Sequence, residues 1–130
     1  MSLAFDTSIL IEIEKEDNQI IKRLKELKKL HPIPAQLPFV SHYEFLKGLK
    51  IGKPKNYHEL ISFLNSFSVL QTTIKTSDIL SDLKIKYDRL GISLSLADLL
   101  IASQVIENQL ILVTMDKDFE KIEEVKKIIL

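Results

Sequence analysis

Four acidic side chains in this 130-residue chain, Asp6, Glu44, Asp98 and Asp116, fall where an apolar run has just ended or a helical pattern has just begun. Converging carboxylates repel one another unless a cation neutralises them. A magnesium ion is held by a few carboxylates and keeps several waters, which suits it to hydrolysing a phosphodiester. There is no cysteine, so thiolate zinc ligation and disulfides are excluded, and any metal is held by oxygen or by one of three histidines. Such a donor set selects a hard ion.

Each acid also has a plainer role. Glu44 stands three residues after Ser41 and Asp98 three after Ser95, the spacing of a capping box, and taken singly capping is the simpler reading of both. Asp6, followed by Thr7 and Ser8, suits an N-cap, while Asp116 and Asp118 suit a turn. The combination says more than any member. Asp98 sits among Leu96, Ala97, Leu99, Leu100, Ile101 and Ala102, where a lone carboxylate must raise its pKa or find a cation.

Competing chemistries fit less well. His31, His42 and His58 fall in a helix-ending loop, a helix start and a surface-like helix, so no histidine pair is evident for metal-free acid and base work. Glycine occurs only at positions 48, 52 and 91, which leaves no phosphate-cradling loop and no nucleophile elbow. Phosphoaspartate chemistry of the dehalogenase kind would want a second Asp two residues after Asp6, where Ser8 stands.

The elements that must position the acids read as alternating short apolar runs and longer helical stretches, the pattern of an α/β sheet with crossover helices. Leu3 to Phe5 forms a first strand ending at Asp6, and Ile9, Leu10 and Ile13 recur at helical spacing. Asp17 caps a helix that His31-Pro-Ile-Pro34 stops near Leu30. Phe39 and Val40 are expected as a second strand, with Ser41 opening the next helix through a capping box to Glu44. Tyr57 to Phe67 reads as helix, Val69 to Gln71 as a third strand, and Ser77 to Leu90 as a helix closed by Gly91. Ser95 opens a helix over Leu96 to Glu107, with Asn108 expected to take the left-handed stop. Leu110 to Val113 is a continuous aliphatic run suited to a buried parallel strand. A short helix over Phe119 to Glu123 and an edge strand over Lys127 to Leu130 complete one domain, 1–130. Carboxyl ends of parallel strands form the ligand crevice of such sheets, which brings Asp6 and Asp116 together and Glu44 near them.

Lys plus Arg equals Asp plus Glu, 18 against 18, so no net field draws a polyanion in. All of the cations except Arg23 and Arg89 are lysine, many between Lys15 and Lys55, where a basic face can form. No apolar run approaches the roughly 20 residues that span a bilayer, and no secretory leader is visible, so the expected location is the cytoplasm.

Four segments together resemble the PIN domain, and within it the VapC-type ribonuclease toxins, over essentially the whole chain. They are Leu3-Ala-Phe-Asp-Thr-Ser-Ile-Leu10, Val40-Ser-His-Tyr-Glu-Phe-Leu-Lys-Gly48, Leu96-Ala-Asp-Leu-Leu-Ile-Ala102 and Leu110-Ile-Leu-Val-Thr-Met-Asp-Lys-Asp-Phe119. Phe45 stands where leucine is more usual, and Asn108 replaces a frequent glycine. The resemblance implies a three-layer α/β/α fold around a mainly parallel sheet of about five strands with the first strand central. It implies an Mg2+-dependent endoribonuclease, with Mn2+ able to substitute, in which Asp6, Asp98 and Asp116 are metal ligands and Glu44 completes the catalytic pocket. Thr114 would position the last acid, with Asp118 auxiliary. It further implies an RNA substrate, a homodimer, and an antitoxin protein that wraps the early helices. Ile20, Ile21 and the apolar residues from Phe63 to Phe67 independently offer surface for an interface. Two alternatives stay open: a catalytically silent PIN-like module that binds RNA or protein, and a PIN nuclease of RNA maturation that has no antitoxin.

Overall fold

The computed structural model describes residues Met1–Leu130. Strand β1 (Leu3–Phe5) is followed by helices α1 (Thr7–Glu14) and α2 (Asn18–Leu30), strand β2 (Gln36–Leu37), and helices α3 (Phe39–Gly52) and α4 (Tyr57–Asn65). Then come β3 (Ser68–Val69), α5 (Ile74–Arg89), α6 (Leu96–Glu107), β4 (Ile111–Thr114), a 3-10 helix (Lys117–Lys121) and β5 (Lys127–Ile129). All strands are parallel, in the order β3-β2-β1-β4-β5.

Alternation along the two central strands divides the interior. Ala4 and Leu112 point into a core built from α5, α6 and the 3-10 segment, where Tyr87, Leu99, Val105 and Phe119 are buried. Leu3 and Val113 point the other way, against Ile9 of α1 and Leu24 and Leu27 of α2. A further cluster, Leu10, Leu37, Phe45, Leu49, Leu60 and Leu64, joins α1, α3 and α4 to β2. Helices thus cover both faces, which is what a parallel sheet requires of its crossovers. The expected three-layer architecture with β1 central holds.

Two expectations about α3 do not hold. The second strand is Gln36–Leu37, paired with Ala4 and with Ser68–Val69, and Phe39 and Val40 already belong to the helix. A two-residue apolar step does not distinguish a strand from a helix start, and here Val40 is buried while Phe39 is exposed. Nor is there a capping box at Ser41: the N-cap is Pro38, which makes no side-chain capping bond, and Ser41 Oγ is buried without a partner.

Smaller shifts have local causes. Helix α5 begins three residues earlier than Ser77, because Thr73 and Thr76 cap each other reciprocally and Glu107 accepts from both hydroxyls. Helix α6 is capped by Ser95 as expected, but its left-handed exit residue is Gln109 (φ 54°), since Asn108 uses its side-chain amide to donate to Gln104 O. The segment after Asp116 coils as a 3-10 helix, Lys117–Lys121, two residues ahead of its expected place. Gly91, at φ 69°, does close α5. Of the residues expected at an interface, Ile20 is buried, and Phe63 and Phe67 pack edge-to-face with 5.3 Å between ring centroids; Phe67 also faces Phe5. Ile20 and the Phe63–Phe67 pair thus contribute to the fold, while Ile21 and Phe67 stay half-buried and line an open groove beside α2.

Candidate metal centre

The chain runs from β1 outward through β2 to β3, then crosses back to lay β4 and β5 on the other side of β1. The order therefore reverses between β1 and β4, and a crevice opens at their carboxyl ends. Asp6 follows β1 directly, and its amide donates to Val113 O of β4 at 3.1 Å. Asp116 lies two residues beyond β4.

Asp6 is buried and N-caps α1. Its Oδ1 accepts from Thr7 N at 2.7 Å, and its Oδ2 accepts from Thr114 Oγ1 at 2.7 Å and Ser8 Oγ at 3.1 Å. Thr114 Oγ1, fully buried, also accepts from Asp116 N at 3.0 Å. One hydroxyl thus ties the first acid to the backbone of the last. Ser8 does the same one residue earlier, donating to Asp6 and accepting from Met115 N at 3.0 Å. Its part in this bracket was not assigned from sequence, although its place two residues after a strand-ending Asp was the available signal.

Asp98 enters from α6, where Ser95 Oγ accepts from its amide at 3.1 Å. The helix cap therefore presents the carboxylate to the crevice. Single carboxylate oxygens of Asp98, Asp116 and Asp118 all lie within 4.8 Å of one another. Asp98 and Asp116 are half-buried and Asp118 exposed; Asp116 Oδ1 accepts from Asp118 N at 2.9 Å, and Lys121 pairs with Asp118 at 3.3 Å. Burial first, and then the facing Asp116 carboxylate, push the Asp98 carboxyl up to about 6. The Ser95 hydroxyl pulls it down, and Asp6 and Asp118 add smaller upward pushes. The cost of an unneutralised Asp98 is thus visible in the geometry.

Glu44 stands apart. It is exposed on α3, and its Oε1 accepts from Thr7 Oγ1 at 3.0 Å, so it borders the crevice through Thr7, one residue from Asp6. Of the acids singled out from sequence, the structure groups Asp98 and Asp116, with Asp118 in the same set of oxygens. Asp6 sits close enough to bear on Asp98, and Glu44 lies at the rim.

An oxygen-only set of clustered carboxylates fits a hard divalent ion with open positions for water. The three histidines take no part in it.

Residues 3–125 match the PIN domain family, and the chain belongs to that family. No curated protein sequence matches it. Among solved structures it is similar to VapBC2 from Rickettsia felis bound to a DNA fragment from its promoter, at TM-score 0.82 and 23% identity, covering 100% of this chain and 99% of that one. VapBC-1 from nontypeable Haemophilus influenzae superposes at TM-score 0.77 with 20% identity, covering 99% and 98%. VapBC-5 from Mycobacterium tuberculosis, of the VapBC family of toxin-antitoxin systems, superposes at 0.74 with 18% identity over 100% of both chains. At these identities the likeness concerns the fold.

Proposed function

We propose that this PIN domain is a divalent-metal-dependent endoribonuclease, the VapC-type toxin of a toxin-antitoxin pair. The observation that carries the reading is the convergence of Asp98, Asp116 and Asp118 beside Asp6 at the switch point of the sheet, with a half-buried Asp98 carboxyl that lacks a cation partner. Asp98 and Asp116 would hold the ion, Asp6 would complete the ligand set, and Asp118 would reinforce it from the exposed side. When bound, such an ion lowers the pKa of water and neutralises charge on the leaving oxygen of a phosphodiester.

The chain's own groups do the rest. Thr114 and Ser8 hold Asp6 in one orientation and fix it relative to Asp116, so the acids meet without reorganising. Glu44, bonded to the Thr7 hydroxyl and open to solvent, borders the substrate side and is placed to orient or deprotonate a water approaching the phosphate.

The partner reading draws support from a second feature. An open groove of about 390 Å³, floored by Leu3, Phe5, Ile21, Leu24 and Phe67 and rimmed by Lys25 and Lys28, lies against α2. An antitoxin segment with apolar anchors and acidic flanks would fill it. Exposed Phe39, Tyr43 and Ile74 give apolar surface that a second copy of the chain would cover.

Cleavage of a mixed RNA pool is the direct test, with magnesium or manganese present, with chelator, and with Asp98→Asn. Cleavage that needs metal and is lost in the variant is the expected result. Activity that survives both controls would exclude a metal-carboxylate mechanism. No cleavage in any condition, with RNA still bound, would favour the silent binding module. A short reading frame with a DNA-binding pattern beside the coding sequence separates a toxin from a maturation nuclease.

A further inference from the structure

Two polar side chains of α6, Ser103 and Gln104, are fully buried. Ser103 answers its own helix, its hydroxyl donating to Leu99 O, one turn back, at 2.7 Å. Gln104 reaches out of the helix at both ends of its amide. Its Oε1 accepts from Phe39 N at 2.8 Å and its Nε2 donates to Leu70 O at 3.2 Å, partners 65 and 34 residues away along the chain. Only this orientation of the amide sets an acceptor against the N–H and a donor against the carbonyl. A buried amide is costly unless its ends are bonded, so the position calls for glutamine because of what the side chain joins.

It joins α6 to the start of α3. One residue, Pro38, separates β2 from that helix, and Pro38 makes no side-chain capping bond, so the first amide of α3 has no local acceptor. Gln104 supplies one from another helix. Leu70 N donates in turn to Leu37 O at 2.8 Å, so a path of three hydrogen bonds runs from the end of β2 through Leu70 and Gln104 to Phe39. Both helices tied in this way carry an acid of the candidate centre. Glu44 lies five residues beyond Phe39 on α3, and Asp98 six residues before Gln104 on α6, axial distances of about 8 and 9 Å.

We infer that Gln104 is a positioning residue of the catalytic pocket: by capping α3 from α6 it sets where Glu44 stands relative to Asp98 and Asp116. The inference rests on the ribonuclease reading. It divides the centre into two halves that respond differently to loss of the amide. Asp98, Asp116 and Asp118 are placed by Ser95, Thr114 and the turn after β4, none of which bonds to Gln104, so the candidate metal ligands stay where they are. Glu44 has a single hydrogen-bond partner for its carboxylate, Thr7 Oγ1, and depends on the seating of α3 for the rest of its placement. Without the remote cap the first turn of α3 frays and Glu44 shifts with its helix. A displacement of about 1 Å in a positioned group can cost up to roughly a hundredfold in rate.

The test is a double-mutant cycle on the full-length chain, Gln104→Met and Glu44→Gln singly and together, read as the single-turnover rate of RNA cleavage at saturating protein and magnesium. Methionine keeps the length of glutamine and loses both hydrogen bonds. Gln104→Met should slow cleavage roughly tenfold and leave the magnesium-induced rise in melting temperature unchanged. In the Glu44→Gln background the same substitution should change the rate less than about twofold. Amide exchange followed by NMR reads the bond itself: Phe39 N–H should be protected in the unmodified chain and lose that protection in Gln104→Met, with Asp98 N–H unaffected. Val105→Ala, which removes buried packing from α6 but no hydrogen bond, should leave the rate unchanged well below its melting temperature. If Gln104→Met does not fold, Phe39→Pro takes its place in the cycle, because it deletes the N–H at a helix position that suits proline, after a residue at φ −56°, ψ 149° that tolerates one. An undiminished rate, a loss of the same size with and without Glu44, a full rate in Glu44→Gln, a lost magnesium response or an unprotected Phe39 amide in the unmodified chain overturns the inference while the ribonuclease reading stands. Absence of cleavage by the unmodified chain in magnesium and in manganese removes both.

Discussion

Asp98 is where the physical chemistry of single residues bears most directly on function. Its carboxyl keeps a proton up to about 6 in the metal-free fold and would release it at 3.8 when unfolded. The folded form therefore binds more protons between those values, so its stability falls as pH rises through that window, and the deficit is complete above it. Asp98→Asn should accordingly stabilise the metal-free protein at pH 7.5, by roughly 1–2 kcal/mol once solvent screening of a half-exposed group is allowed for, with little effect at pH 4. Chemical denaturation at the two pH values measures it; equal effects at both would show that charge is not the cause. Thr114 poses the converse case. Thr114→Val keeps the shape but removes the hydroxyl shared by Asp6 and Asp116 N, leaving that half-buried amide without its partner. It should cost about 1–2 kcal/mol in stability and some 10- to 100-fold in metal affinity or activity, read by denaturation and by metal titration.

At the scale of elements, two serines with the same sequence signature have opposite roles. Ser95 caps α6 and sets the direction in which Asp98 leaves the helix, whereas Ser41 lies within the first turn of α3 with a buried, unpartnered hydroxyl. Ser95→Ala should lower stability by about 1 kcal/mol. Ser41→Ala should be neutral or stabilising, because it removes a buried polar atom that gains nothing from burial. Thermal melts of the two variants side by side decide it, and a drop of similar size at Ser41 would mean that its hydroxyl has a partner in solution. Helix α5 is held at both ends in a comparable way. Thr73, Thr76 and Glu107 join its start to α6, and the Tyr87 hydroxyl donates to Glu124 and accepts from Glu123 N, fixing the segment that leads into β5.

For the whole molecule, the switch in strand order concentrates negative charge at one edge of a chain whose net charge is zero. A ligand that binds only the folded form stabilises it by mass action. Millimolar magnesium should therefore raise the melting temperature of the unmodified chain and leave that of Asp98→Asn nearly unmoved. Equal responses in the two proteins would place magnesium elsewhere.

The alternation of apolar runs and helical stretches was enough to place eleven of the twelve elements on or near their positions, because buried strands and amphipathic helices leave their period in the residues. Asp6 and Asp116 were legible in the same way, as the residues that follow two aliphatic strands. What the sequence left open is what distant contacts decide. The start of α3 at Phe39 depends on the pairing of Gln36–Leu37 with β1 and β3, and no local signal distinguishes that from a strand at Phe39–Val40. Whether a first-turn acid merely caps or also faces a cluster is likewise not local: Asp98 does both, while Glu44 caps nothing through Ser41 and reaches the rim through Thr7. Asp118 joins the carboxylate set because the 3-10 turn after Asp116 folds it back, and Ser8 joins because β1 and β4 are neighbours. Spacing along the chain supplied the residues; the reversal of strand order supplied their meeting point, since only pairing across the sheet brings residues a hundred positions apart within hydrogen-bond reach.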